Sequence, residues 1–415
     1  MKYLVLLGDG MADFPLEELG GRTPLEAAAT PAMDAVAQRG ISGLFCPIPD
    51  GMPPGSDIGN LSMFGYNPRE WYTGRAPLEA ANQGIELAGG EVVFRCNLVT
   101  LEDGVMASFT ADHISTAEGA ELIEALNAGM SGLPVRFHAG VGYRHLAVIA
   151  TNGASTEGLV RLACEPPHNI SDQPVKNYLP AGDGREVVEA IMKRSQEILR
   201  DHPVNLKRAE NGHAPATSVW LWGQGSSPRL PSYAERHGLT GAVISAVDLV
   251  KGIGRCAGLE VIDVPGATGY IDTNYAGKVA AALDALERVD FIYLHVEAPD
   301  ETAHEGRTDL KIQAIEDFDK AVVAPCLAYA GNRDDARLLV APDHVTAIST
   351  RTHAGGPVPF ALCGQGITPN GATAYHEREA ERFGVLFPDG YMLTPHMLSA
   401  PAIELPAKGA QPCCE

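Results

Sequence analysis

Seven side chains in four separated stretches of this 415-residue sequence are of the types that bind divalent cations or serve as nucleophiles. Asp9 lies in Gly8-Asp9-Gly10, just past the apolar run 2–7. Ligands of open α/β sheets gather beyond strand ends of this kind, although an aspartate there also serves as a turn or cap residue. Ser56 follows Pro53-Pro54-Gly55 and starts a predicted helix, where unpaired N–H groups attract an anion; its plain reading is an N-cap serine, with no obvious base nearby. In Asp300-Glu301-Thr302-Ala303-His304 the i, i+4 spacing sets Asp300 and His304 on one helical face. That pair suits a divalent metal, or belongs to an ordinary solvated face. Asp343-His344 follows the apolar run 338–341, and His353 comes nine residues later. A turn past the strand end can bring both neighbours to one ion, with a metal-free Pro342-Asp343-His344 turn as the alternative.

Jointly these are three aspartates, three histidines and one serine, enough for two metals with three or four ligands each. Two divalent ions a few ångströms apart lower the pKa of a serine hydroxyl, bind a phosphoryl oxygen and stabilise leaving charge. No neighbouring general base is then required. The chemistry to expect is two-metal phosphoryl transfer through Ser56.

The elements that must position these residues follow from patterning. Residues 2–7 fit a strand buried on both faces. Thr30-Pro31 predicts an N-cap with proline at the first helical position, and Gly40 closes that helix before the apolar stretch 41–48. This β-loop-α-β order opens a parallel α/β sheet. Apolar runs at 241–247, 260–264, 291–296 and 337–341 alternate with helical patterns such as 278–287, so both ends of the chain contribute to one sheet. The stretch between them has its own strands (92–100, 135–137, 143–150) and helices (117–128, 185–200). The expected fold is α/β, with a mostly parallel sheet flanked by helices in a core of 1–89 and 215–415, and an inserted, smaller α+β domain of 90–214.

Composition limits the function classes. Hydrophobic residues at 45% and charged residues at 20% are ordinary globular usage, and the length exceeds the range in which one core keeps growing, so two domains are expected. The net charge of −21, from 31 Lys+Arg against 52 Asp+Glu, repels a polyphosphate backbone and excludes nucleic acid as a natural partner. A small anionic substrate would need a local cluster of arginine and lysine. The first apolar run is too short for a secretory signal, and no run approaches the ~20 apolar residues of a membrane span. Eight cysteines without Cys-x-x-Cys spacing read as reduced thiols, which leads to a cytoplasmic protein without membrane contact. Cys413 and Cys414 read as part of a loose tail.

Several motifs in order carry a family likeness: Gly8-Asp9-Gly10-Met11, Pro54-Gly55-Ser56-Asp57, Tyr72-Thr73-Gly74-Arg75, Phe94-Arg95-Cys96-Asn97, Trp220-Leu221-Trp222-Gly223-Gln224-Gly225, Val296-Glu297-Ala298-Pro299-Asp300-Glu301, Pro342-Asp343-His344 and Pro357-Val358-Pro359-Phe360. On these the chain resembles, nearly end to end, the archaeal-type cofactor-independent (2,3-bisphosphoglycerate-independent) phosphoglycerate mutases of the alkaline phosphatase superfamily. The resemblance implies an alkaline-phosphatase-like core. One metal would be held by Asp9, Ser56, Asp343 and His344, and a second by Asp300, His304 and His353. Ser56 would be the phosphorylated nucleophile. Manganese is the metal such mutases imply, with zinc, magnesium or cobalt compatible with the same ligands. The inserted domain would close over a small phosphorylated metabolite, 2- or 3-phosphoglycerate, and keep water from the phosphoenzyme.

Arg75, Arg95, Arg144, Lys251 and Arg255 are the candidates for gripping phosphate and carboxylate, since arginine forks match both groups; a surface salt bridge is the competing role for each. Two departures bear on substrate. Gly356 stands before Pro357-Val358-Pro359 where mutases of this type often have aspartate, and His304 is followed by Glu305-Gly306-Arg307 in place of an acidic pair. The loop Asp50-Gly51-Met52-Pro53-Pro54 resembles that of a bacterial branch proposed to act as homoserine kinase. Phosphoryl transfer to homoserine and simple metal-dependent phosphohydrolysis are therefore the rival activities, and a silent scaffold the rival class. No Gly-x-x-x-x-Gly-Lys-Ser/Thr loop is present, so an ATP-dependent reading needs an unrelated nucleotide site.

Overall fold

The computed structural model describes residues 1–151 and 155–399; Cys413 and Cys414 lie outside them. The strands are, in chain order, β1 Lys2–Gly8, β2 Gly40–Phe45, β3 Glu91–Glu102, β4 Val105–Ser108, β5 Val135–His138, β6 Arg144–Ala150, β7 Ser218–Gly225, β8 Gly241–Ile244, β9 Glu260–Val261, β10 Phe291–Val296, β11 Ala336–Ala341, β12 Val345–Ala347, β13 Thr352–Ala354, β14 Val358–Gly364 and β15 Leu386–Phe387. Two compact units result: Met1–Tyr72 with Arg229–Glu415, and Thr73–Pro228.

The first unit is built on an eight-stranded sheet of order β15-β2-β14-β11-β1-β10-β8-β9. Only β14 runs antiparallel to its neighbours, β11 and β2. Its central strands are continuous apolar runs because helices cover both faces: every residue of β10 and β11 is buried. Leu4 and Leu6 of β1 join Val36, Leu294, Phe318 and Leu338 in one core. The helix Pro31–Gln38 starts with proline at its first position as the sequence predicts, but Thr30 makes no cap bond. The open N–H groups of Ala32 and Met33 are taken instead by the Asp319 carboxylate, at 3.1 and 2.7 Å.

The second unit is an antiparallel sheet, β4-β3-β6-β5 with β7 also on β3. Its helices Thr116–Gly129 and Arg185–Leu199 cover a core containing Phe94, Leu98, Leu122, Ile191 and Trp220. This unit extends past the bounds 90 and 214 inferred from sequence at both ends. At the carboxyl side, β7 pairs with β3 from Ser218 to Gly225 instead of entering the large sheet. At the amino side, the helix Arg75–Asn82 packs Ala76 and Ala80 on Val93, Leu146 and Val148, and Glu79 accepts a hydrogen bond from Arg95 at 3.1 Å. Both contacts are long-range, so local patterning does not reveal them.

Register levels the functional ends of the large sheet. Gly8 of β1 lies beside Val296 of β10, and Leu7 beside Ala341 of β11. The chain therefore leaves three adjacent parallel strands at one edge, where Asp9, the helix Ala298–His304 and Asp343 follow. The helix Ser56–Met63 is brought against Asp343 at Gly59, where a Cβ would lie 2.4 Å from the Asp343 carbonyl oxygen. Backbone stands on both sides of that contact. Gly59→Ala should cost about 1–3 kcal/mol of stability, read as a lowered urea midpoint; an unchanged midpoint would show that helix and strand end are not fixed against each other.

Candidate active site

The site grows from Asp9, which the end of β1 delivers into the interior with 1% exposure. Its Oδ2 receives a hydrogen bond from His295 Nε2 at 2.8 Å. Its Oδ1 is buried, accepts no hydrogen bond and lies 3.3 Å from His344 Nε2. Asp343 is fully buried; its Oδ1 accepts the Gly10 N–H at 3.1 Å, and its Oδ2 accepts from Asn60 Nδ2 at 2.6 Å and lies 3.4 Å from His344 Nε2. Gly10 has φ 56°, and a Cβ there would lie 2.5 Å from Asp300 Oδ1, so only glycine lets this turn pass between the two carboxylates.

Ser56 meets the same point. The structure sets it as the first helical residue, with Gly55 at the N-cap in extended conformation and making no side-chain cap bond. The cap role expected from the sequence is thus taken by a residue without a side chain. Ser56 Oγ is left 3.2 Å from His344 Nε2. Ser62, one face away, donates its hydroxyl to Pro47 O at 2.5 Å and is buried.

A second convergence adjoins the first. The β12–β13 hairpin pairs Thr346 with His353, which places His353 two residues across from His344; their rings lie 4.3 Å apart. His353 Nε2 is 2.9 Å from His304 Nε2 and 3.4 Å from Asp300 Oδ1, while His304 Nε2 is 3.2 Å from Asp300 Oδ2. The i, i+4 face seen in the sequence is therefore turned inward onto a histidine from another element. Among the described residues, two groups have ligand atoms close enough to share an ion: Asp9, Asp343 and His344, and Asp300, His344 and His353. His344 belongs to both groups and His304 to neither, whereas the family resemblance implies His344 for one ion and His304 for the other.

Electrostatics test whether such residues fit cations. Burial raises Asp9 well above the usual carboxylate range, and the neighbouring Asp343 and Asp300 raise it further. Burial also raises Asp343. At Asp300 burial acts upward, but hydrogen bonds from His304 and His353 outweigh it and hold the carboxyl well below its ordinary value. The Asp300 hydrogen bond raises His304 to about 9. Three buried carboxylates, an orphaned oxygen and imidazole nitrogens aimed at common points are a donor set that divalent cations would satisfy.

Several residues that shape the site escaped the sequence reading. His295 stands in the apolar run of β10, and burial pushes its ring down to about 3. Asn60 lies one turn beyond Ser56 and is held by the Tyr293 hydroxyl at 2.8 Å. Thr346 donates to Asp300 Oδ1 at 2.5 Å and lies 3.1 Å from His344 Nδ1. A histidine inside a wholly apolar strand is a readable signal; the other two are not distinguishable from ordinary polar residues without the fold.

The basic candidates divide by unit. Arg75, Arg95 and Arg144 belong to the second unit, where Glu79 lies 3.4 Å from Arg75 Nε and 3.1 Å from Arg95 Nε. Arg95 is stacked 4.1 Å over the Trp222 ring, and its guanidinium is pushed below its ordinary value first by burial and then by Arg75 and Arg144. Three cations thus share one neighbourhood. Lys251 and Arg255 lie in the first unit on the helix Asp248–Cys256, with Lys251 paired to Asp263 at 2.6 Å and Arg255 exposed.

An α/β sheet that gathers carboxylates, imidazoles and a helix-terminal serine at one edge defines a centre able to hold two divalent cations beside a hydroxyl. Comparison with known proteins narrows the class. A sequence profile of 2,3-bisphosphoglycerate-independent phosphoglycerate mutase matches residues 37–205. A probable mutase of that name from Geobacter sulfurreducens is 53% identical over 403 residues, covering 96% of this chain and 100% of the relative. One from Methanosarcina mazei is 52% identical over 364 residues, covering 87% and 90%. The cofactor-independent phosphoglycerate mutase structure from Thermoplasma acidophilum superposes with a TM-score of 0.64 at 26% identity, covering 96% of this chain and 100% of that one. A Pyrococcus horikoshii protein superposes at 0.79 with 30% identity, covering 96% of both. The chain belongs to the 2,3-bisphosphoglycerate-independent phosphoglycerate mutase family.

Exhaustively chelated protein should take up two Mn²⁺ per chain. Asp300→Ala and His353→Ala should each retain one ion and an unchanged circular dichroism spectrum. Metal analysis that finds two ions in both variants would refute the assignment of Asp300 and His353 to the second ion.

Proposed function

We propose that this protein interconverts 2-phosphoglycerate and 3-phosphoglycerate through a phosphoserine at Ser56, as an isomerase of the bacterial or archaeal cytoplasm. The observation that carries this reading is the Ser56 hydroxyl, free of cap duty and 3.2 Å from His344 Nε2 beside the unpartnered Asp9 Oδ1. Family membership supplies the substrate class, and the departures at Gly356 and Gly306 leave the ligand set untouched.

Asp9, Ser56, Asp343 and His344 would hold one ion, and Asp300, His304 and His353 the other, with manganese the proposed metal. Bound there, the ions supply positive charge that lowers the serine pKa and neutralises phosphoryl oxygens. The protein's own share is positioning. Asn60 holds the Ser56 carbonyl at 2.9 Å and Asp343 at 2.6 Å through one amide, which ties the nucleophile's helix to the carboxylate cluster. The first-turn N–H groups of the helix Ser56–Met63 add partial positive charge where a phosphoserine dianion would form.

In the first half-reaction the bond from Ser56 Oγ to phosphorus forms and the P–O ester bond to glycerate breaks; the proton Ser56 gives up is matched by the one the departing glycerate oxygen takes. The second half reverses these changes at the other hydroxyl. Glycerate must stay bound in between, and Arg75, Arg95, Arg144, Lys251 and Arg255 are the side chains proposed for its carboxylate and phosphate. Storage of the phosphoryl group is what distinguishes a mutase from a hydrolase.

Ser56→Ala should lower turnover by about 10⁴-fold or more, whereas Ser62→Ala should affect chiefly stability. Rapid quench with labelled 3-phosphoglycerate should leave label on Ser56. Normal turnover by Ser56→Ala, or label on another residue, would overturn the mechanism; label that appears only with ATP and homoserine would transfer the reading to a kinase.

A further inference from the structure

Behind Asp9 a row of three side chains crosses three adjacent strands. Asp9 follows β1, His295 belongs to β10, and Ser245 follows β8. Ser245 Oγ accepts the Val247 N–H at 2.9 Å and lies 3.2 Å from His295 Nδ1. The Asp9 carboxylate can only accept, so the ring carries a proton on Nε2, which lies 2.8 Å from Asp9 Oδ2, while the Ser245 hydroxyl meets the ring's other nitrogen. The main chain of this histidine is fixed as well: Lys278 Nζ, fully buried, donates to His295 O at 3.2 Å, and Leu7 is its register partner in β1.

We infer that His295 is a positioning residue for the metal centre, which, by occupying Asp9 Oδ2, makes Asp9 present Oδ1 alone to an ion. The inference rests on the reading of Asp9 as a ligand. It follows from the geometry: one carboxylate oxygen is committed to a ring that Ser245 braces at its other nitrogen, and the other is buried, unbonded and directed to the point shared by His344, Asp343 and Ser56. Without the ring, the carboxylate could rotate about χ2 and offer either oxygen or both, and binding an ion would include the cost of ordering it. Outer-shell partners of this kind typically contribute 10- to 100-fold in metal affinity.

The test is Mn²⁺ titration of chelated, full-length protein by calorimetry, with four chains compared. His295→Ala should weaken one of two Mn²⁺ sites by about 10- to 100-fold and leave the other nearly unchanged. His295→Gln, whose amide reaches the position of Nε2–H, should restore most of the affinity. His295→Asn, similar in polarity but reaching only the position of Nδ1, should behave like alanine. A purely packing role predicts no difference between Gln and Asn, so equal affinities for these two would overturn the inference, and the pair serves equally if the alanine variant does not fold. Wild-type protein that binds no Mn²⁺ would instead overturn the metal reading of Asp9 itself.

Discussion

Like charges held together out of water are the constraint on which this structure turns. Asp9, Asp300 and Asp343 lie at the end of one sheet with exposures of 1%, 5% and 0%. At such depth, repulsion between carboxylates is many times its value in water, and each ion also loses its hydration. Neutral donors offset part of that cost: the Gly10 N–H, the Asn60 amide, the Thr346 hydroxyl and the His295 ring each commit one hydrogen bond to one carboxylate oxygen. The remainder falls on imidazoles, and at His304 the pull of Asp300 is strong enough to raise the ring to about 9. Such a cluster is a poor choice for stability alone and a natural one for cations.

Placing the cluster requires a stiff support. Parallel strands buried on both faces provide it, since β1, β10 and β11, buried throughout but for Lys2, cannot slip by one residue without sending every side chain into the opposite covering layer. A second tie is Lys311, fully buried on the helix Thr308–Phe318, whose ammonium donates to Asp13 Oδ2 at 2.8 Å, Thr346 O at 2.7 Å and Ala12 O at 3.2 Å. One side chain thereby joins the loop after β1 to the hairpin that carries His344 and His353. The charge is paired and its donors are used, which is the condition under which a buried lysine is tolerated.

The second unit resolves a conflict of charge. A protein of net charge −21 repels small anions at long range, yet Arg75 and Arg95 both pair with Glu79, Trp222 lies beneath Arg95, and the charge of Arg144 is felt at Arg95. Burial, with repulsion from Arg75 and Arg144, lowers the Arg95 guanidinium from its ordinary value. This local gathering of positive charge is what the proposed function draws on for an anionic substrate.

What the sequence determined by itself is everything carried by short range. Strand ends, helix faces and turns are set by a few neighbouring residues, so β1, β10, β11 and the i, i+4 pair Asp300–His304 were legible, and the seven side chains proposed as ligands could be named, because Asp, His and Ser at strand ends are few and chemically distinctive. The tertiary structure alone decided how they meet. It gave the N-cap to Gly55 and so freed Ser56, set His344 where both groups converge, and recruited Asn60, Thr346 and His295, whose roles depend on partners 46 to 286 positions away. It also carried the second unit beyond residue 214 by pairing β7 with β3. Each of these depends on which distant backbone a side chain lands against, a matter of register and close approach that no local pattern encodes.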